Sequence, residues 1–152
     1  MRRKEKEIQD RKTIEAIIKK ASVCHLAMAV DNRPYVIPLC FGYKDNTLYF
    51  HSADEGKKLT MIQQNPQVCF QLHVDEKLLK AEKACHWSMS YQSVIGSGKA
   101  VIVSDQKEIS RALDVIMNQY AEGQWSYPQG QLAKTRIIRV DIEEMTGKQS
   151  LD

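Results

Sequence analysis

The feature that most limits what this chain can fold into is a pair of adjacent turn residues, Asp45-Asn46, between two β-prone runs. Tyr35 to Tyr43 and Thr47 to His51 are rich in β-branched and aromatic side chains, and Asp and Asn tolerate the left-handed backbone of a tight hairpin. The stretch reads as strand, turn, strand. His51-Ser52 then ends the second strand, and Gly56-Lys57-Lys58 opens a helix carrying Leu59 and Ile62. A strand feeding a helix N-terminus leaves N–H groups free, and the Ser52 hydroxyl with the Lys57 and Lys58 ammonium groups beside them suits a phosphate. Asp54 and Glu55 support a second reading, in which they cap the helix and the lysines are merely solvated.

Pro38 sits mid-run, where it cannot donate a ladder hydrogen bond, so this strand is expected to have an open edge or a bulge. An open edge could take a planar, hydrogen-bonding ring; equally, it could be an edge strand protected from aggregation.

A chain of 152 residues is expected to form one domain, 1–152, with residues 1–10 as a flexible arm. Its composition, 43% hydrophobic and 27% charged, is that of a globular protein. No apolar run approaches the length of a membrane span and the N-terminus carries no apolar signal core, so the expected location is cytoplasmic, with no membrane partner. The net charge of +3 comes from the N-terminal stretch, since the six Lys/Arg and three Asp/Glu of residues 1–12 leave 16 of each sign elsewhere. No basic stripe for nucleic acid results.

Cys24, Cys40, Cys69 and Cys85 lie in strand-like runs without a CxxC pair. Adjacent strand residues point to opposite faces, so Cys24-His25 and Cys85-His86 cannot each grip one metal, and buried or half-buried thiols are expected.

Asp10 is expected to cap a helix bearing Ile14, Ile17, Ile18 and Ala21 on one stripe. Val23 to Val30 reads as a strand ending in the turn cluster Asp31-Asn32-Arg33-Pro34, which gives a three-strand meander with the central hairpin. Gln67 to Val74 alternates as a strand, Asp75 to Lys83 as a surface loop, and Ala84 to Val103 as a long strand bending at Gly96 and Gly98. Gly96-Ser97-Gly98 is no dinucleotide fingerprint, because it follows no strand-to-helix step. Asp105 with Glu108 suggests a capping box for a helix with Ile109, Ala112, Leu113, Ile116, Met117 and Tyr120 on one stripe. Glu122 to Lys134 is an aromatic loop, either a lid or subunit contact or a segment stapled to its own barrel. Thr135 to Glu144 closes the fold and Met145 to Lys148 ends it.

Several ordered motifs carry a resemblance across nearly the whole chain. Pro34-Tyr35-x-x-Pro38-Leu39-x-Phe41-Gly42-Tyr43 and Leu48-Tyr49-Phe50-His51-Ser52-Ala53-x-x-Gly56-x-Lys58 are joined by Asn65-Pro66-x-Val68-Cys69-Phe70, Tyr91-x-Ser93-Val94-Ile95-Gly96-x-Gly98-x-Ala100 and Met145-Thr146-Gly147-Lys148. The chain closely resembles the FMN-binding split-barrel proteins related to pyridoxamine 5′-phosphate oxidase, and among them the branch named for 5-nitroimidazole antibiotic resistance. The resemblance implies a mostly β protein with flanking helices, an antiparallel split β-barrel of about six strands. It also implies FMN at the interface of a homodimer.

Under that resemblance Pro38, Leu39, Cys40 and Phe41 lie along the isoalloxazine ring. His51, Ser52 and Lys58, with Lys57 beside them, approach the ribityl phosphate or the ring edge, and Ser93 with Val94 lies near the same site. His51 is the candidate catalytic residue, as proton donor to a reduced substrate, or else only a hydrogen-bond partner of the cofactor. Phe41, Trp87 or Trp125 would stack a small-molecule oxidant. The chain stops soon after Lys148, without the basic segment by which pyridoxamine phosphate oxidases recognise their substrate, which favours a reductase of small oxidants such as nitroimidazoles. A flavin carrier or sensor and a haem-binding split barrel are the alternatives.

Overall fold

Two Asp-Asn turns set the register of the sheet. In the computed structural model, which describes residues 3–150, Asp31 and Asn32 have φ of 49° and 58°, and Asp45 and Asn46 have φ of 49° and 61°. Positive φ at both central residues makes the tight turn whose twist matches flanking strands. The first turn joins β2 (Cys24–Val30) to β3 (Arg33–Leu39), and the second joins β4 (Gly42–Lys44) to β5 (Thr47–Ala53). Asn46 also anchors its turn, donating from Nδ2 to the Ile142 carbonyl at 2.9 Å.

The run expected as one strand is two. β3 and β4 stand at opposite ends of the strand order β3-β2-β6-β7-β8-β5-β4, where β6 is Gln67–Leu79, β7 is Ser88–Val103 and β8 is Thr135–Ser150. The three-strand meander therefore does not form, since β5 pairs with β4 and β8 and not with β3. Two residues force the break. Phe41 is fully buried, which turns the chain inward after Leu39. Gly42 then passes beneath α3 (Gln106–Tyr120) so closely that a Cβ would sit 2.6 Å from the backbone of Val115 and Ile116.

All strand pairs are antiparallel, and the protein is mostly antiparallel β with flanking helices. Among the described residues the sheet holds eight strands rather than about six, because the first run divides and β1 (Glu7–Ile8) pairs with Gly147 and Lys148 of β8. Part of the expected flexible arm is thus docked, with Ile8 buried. β6 runs through the expected loop to Leu79 by way of a bulge at Val74/Lys77, with Asp75 at φ 59°. β7 starts at Ser88, after a 3₁₀ turn at Ala84–His86 that takes Cys85 out of any strand. β8 does not stop at Glu144 but continues to Ser150. The bend at Gly96 and Gly98 is present: the register shifts between Ser97 and Gly98, and Cβ atoms there would run into the Phe70 ring and the Asp141 carbonyl.

The barrel interior is filled by Leu26, Phe41, Leu48, Phe50, Phe70, Leu72, Val94, Ile138 and Val140, closed by α1 (Arg11–Lys20) and α2 (Lys57–Gln64). Truncating one of these phenylalanines to alanine would cost about 3–5 kcal/mol. Asp10 caps α1 through the Thr13 N–H at 2.8 Å, and Asp105 caps α3 through the N–H groups of Lys107 and Glu108. α3 lays Ile109, Ala112 and Ile116 against Val103 and Ile137, covering the outer side of β5 and β8. The aromatic loop is stapled to its own barrel: Tyr127 donates to Asp114 Oδ1 at 2.9 Å, and Leu132 of α4 (Gln129–Leu132) joins the α3 cluster.

Candidate functional site

Strand alternation decides what the end of β5 presents. Leu48, Phe50 and Ser52 point inward, whereas His51 is exposed on the opposite face. The resemblance grouped His51 with Ser52; the backbone brings them together but sends their side chains apart. Ser52 is only 4% exposed, and its Oγ is buried without a hydrogen-bond partner. Leaving such a group unpaired costs about 1–3 kcal/mol, so a buried orphan hydroxyl asks for a partner.

Next to it α2 begins without a side-chain cap. Asp54 and Glu55 do not fill that role, and no acidic residue lies in the first turn. Gly56 has φ of 132° with nothing within 4 Å of a would-be Cβ, so glycine serves its backbone angle and not packing. The result is a helix N-terminus with free amides, a half-buried Lys58, and Lys57 held 4.2 Å above the Tyr35 ring of β3. That last contact ties α2 to the edge strand. These donors fit a phosphate group.

Pro38 is exposed on β3, which is an edge strand. Leu39 is half-buried and Cys40 is exposed in the link to β4. Phe41 cannot stack on a ligand, because its ring is fully buried and its N–H is bound to the Tyr120 hydroxyl at 2.9 Å. Val94 is likewise a core side chain, while Ser93 faces the other side of β7 beside His73 and Lys148. Between β3 and β7 lie β2 and β6, a lateral separation of about 14 Å. Within one chain, Ser93 is therefore well away from Pro38 and shares its outer face.

Trp87 is exposed and donates from Nε1 to the Ala81 carbonyl at 2.7 Å, and Trp125 is half-buried within the stapled loop. Of the thiols, only Cys24 is buried, and burial pushes it up to about 12, so it is inert; the other three are exposed, against expectation.

Two features were invisible in the sequence. His25 and His73 stack with ring centroids 6.1 Å apart, because β2 lies beside β6. Arg136 of β8 is the direct cross-strand partner of Ser52. Neither follows from local pattern, since both depend on which distant strands become neighbours. A cleft of about 840 Å³ lies elsewhere, between α3 and the β4–β5 hairpin. Its lining balances Glu15, Asp45, Glu108 and Asp114 against Lys19, Lys44, Arg111 and Arg139, so it selects no sign of charge. Among the described residues no helix is long and apolar enough to cross a membrane.

The family model described as pyridoxamine 5′-phosphate oxidase matches residues 10–149. The chain belongs to that family. Its structure resembles that of a Bacteroides thetaiotaomicron protein named for 5-nitroimidazole antibiotic resistance, with 36% identity and a TM-score of 0.84 over 94% of this chain and 86% of that one. Flavocytochrome Anf3 from Azotobacter vinelandii superposes with a TM-score of 0.88 at 18% identity, over 100% of this chain and 72% of that one. A FAD-binding protein from Mesorhizobium loti gives 0.68 at 23% identity, over 93% and 96% of the two chains. At those identities the last two speak for the split-barrel fold alone. A curated relative, an uncharacterized protein of Rhizobium meliloti, is 26% identical over 65 residues, so the match spans only 43% of this chain and 42% of that protein.

Proposed function

We propose that this pyridoxamine 5′-phosphate oxidase family member binds FMN between two copies of the chain and reduces small oxidants such as nitroimidazoles. The observation that carries the reading is the buried, unpartnered Ser52 hydroxyl beside an uncapped helix N-terminus flanked by Lys57 and Lys58. Membership of the pyridoxamine 5′-phosphate oxidase family supports a flavin, and the single phosphate-sized cradle favours FMN over FAD.

When bound, the flavin supplies the electron transfer. Ser52, Lys58 and the first-turn amides of α2 hold its phosphate, and the edge of β3 at Pro38, Leu39 and Cys40 lies along the ring. With its ring in the core, Phe41 offers only backbone. His51, exposed and without a hydrogen-bond partner among the described residues, gives a proton to the reduced oxidant.

A second copy has a surface to occupy. Val36, Ile95, Leu78 and Met89 are 60%, 51%, 47% and 44% exposed and share one side of the sheet. No described helix covers it, and Pro38 lies at its margin, so a partner seated there would border the flavin.

The absorption spectrum of the purified protein and titration with FMN and FAD test the cofactor. FMN is expected to bind more tightly, and equal or tighter FAD binding would overturn the site. Anaerobic mixing of photoreduced protein with a nitroimidazole tests the reaction. Reoxidation no faster than that of free reduced FMN would remove the reductase reading.

A further inference from the structure

We propose that Arg136 is a ligand of the flavin phosphate, completing with Ser52 and the α2 N-terminus a cradle for a phosphate monoester. The proposal rests on the FMN reading above and adds to it a residue from the far end of the chain.

β5 and β8 are antiparallel, with Ser52 directly opposite Arg136. Directly opposed residues share a face, with Cβ atoms about 5 Å apart. The face is the inner one, where Phe50 and Ile138 meet Leu59, Met61 and Ile62 of α2 in one cluster. Arg136 also lines a groove of about 460 Å³ with Ile62 and Gln63, in the last turn of that helix, and Ala100 to Ile102 of β7. The orphan hydroxyl and the guanidinium therefore share one face, and Ser52 stands four residues before Gly56 at the start of α2.

The hydrogen bonding of Arg136 leaves it available. Nη1 donates to the carbonyls of Ala133 at 3.3 Å and Thr135 at 2.9 Å, which orients the group. Nε and Nη2 have no partner among the described residues, and no carboxylate there forms a salt bridge with it. An oriented, half-buried guanidinium without a counter-ion matches the geometry of a phosphate, which accepts two parallel N–H bonds from it. Asp54 and Glu55 are exposed on the loop before α2 and are free to turn to solvent.

The bland role for Arg136 is a clasp that ties the α4–β8 corner through those two carbonyls. Flavins with and without the phosphate separate the two roles. Titration of the flavin-free full chain with FMN and with riboflavin should show FMN binding at least about 100-fold more tightly. Arg136→Gln should lose about 10–100-fold in FMN affinity with riboflavin affinity unchanged, a charge-assisted contact being of that size. Arg136→Lys, which keeps the charge but not the fork, should fall between and guards against a misfolded Gln variant. Equal weakening of both flavins in either variant would assign Arg136 to the clasp, and no change in either would exclude it from the site. Wild-type protein that binds both flavins equally would instead overturn the phosphate site itself, and Arg136 with it.

Discussion

The Tyr120 hydroxyl accepts a hydrogen bond from the Phe41 N–H and donates one to the Ser22 carbonyl, each at 2.9 Å. It stands where the barrel is split, between the end of β3 at Leu39 and the start of β4 at Gly42. A side chain from α3 supplies the bond that a neighbouring strand would supply in a closed sheet. Removing the hydroxyl in Tyr120→Phe should cost about 1–3 kcal/mol, because the Phe41 N–H loses its partner. Urea unfolding would show a lower midpoint with an unchanged slope.

Stability should fall in strong alkali. Burial pushes the phenols of Tyr120 and Tyr127 up to about 12, and for Tyr127 the Asp114 carboxylate adds to the effect. A folded value above the ordinary one near 10 means that the contribution is complete below about pH 10 and is lost as pH rises through about 12. The unfolding midpoint should drop over that window, and the Tyr120→Phe/Tyr127→Phe double variant should show a shallower drop.

Gly42 and Gly56 should respond differently to alanine. Gly42→Ala places a Cβ 2.6 Å from backbone atoms of α3 that cannot rotate away, so a loss of about 2–3 kcal/mol is expected in unfolding experiments. Gly56→Ala meets nothing but strains the backbone at φ 132°, a cost of about 1–3 kcal/mol. Only Gly56→Ala should also weaken FMN binding, since it disturbs the first turn of α2.

A charge on the open sheet face should separate the two copies. Ile95→Asp alters an exposed side chain, so the thermal melt of the monomer should move little. Sedimentation at micromolar concentration should then report dimer for the wild type and monomer for Ile95→Asp. Dimer retained by Ile95→Asp would move the interface to another surface.

The two ends of the β5–α2 junction should fail in different ways. Lys58→Ala should weaken FMN binding about tenfold, as loss of one charged contact does. His51→Ala should leave affinity nearly unchanged and lower the rate of oxidant reduction, measured with saturating FMN. A His51→Ala protein of normal rate would confine the residue to the surface.

Local chemistry made much of the fold legible. Asp10 and Asp105 predicted their helices because capping is decided within a few residues, and Asp45-Asn46 predicted its hairpin because two positive φ angles suit few residue types. Ser52, Gly56, Lys57 and Lys58 were legible for the same reason, being consecutive parts of one strand-to-helix junction. Continuity in sequence is not continuity in space between Leu39 and Gly42. Tyr35 to Tyr43 looked like a single strand, yet burial of the Phe41 ring and the close passage of α3 over Gly42 split it between opposite edges.

The sequence by itself determined most of the element types, the two Asp-Asn turns, the inward-facing stripes and the family motifs, because each depends on propensity and spacing over a few residues. Only the tertiary structure decided that Phe41 and Val94 spend their side chains on the core, that His51 and Ser52 face apart, and that Arg136 lies opposite Ser52. Those outcomes depend on which strands pair across long sequence separations. That choice is made by the burial of the whole apolar interior and leaves no mark in any local window.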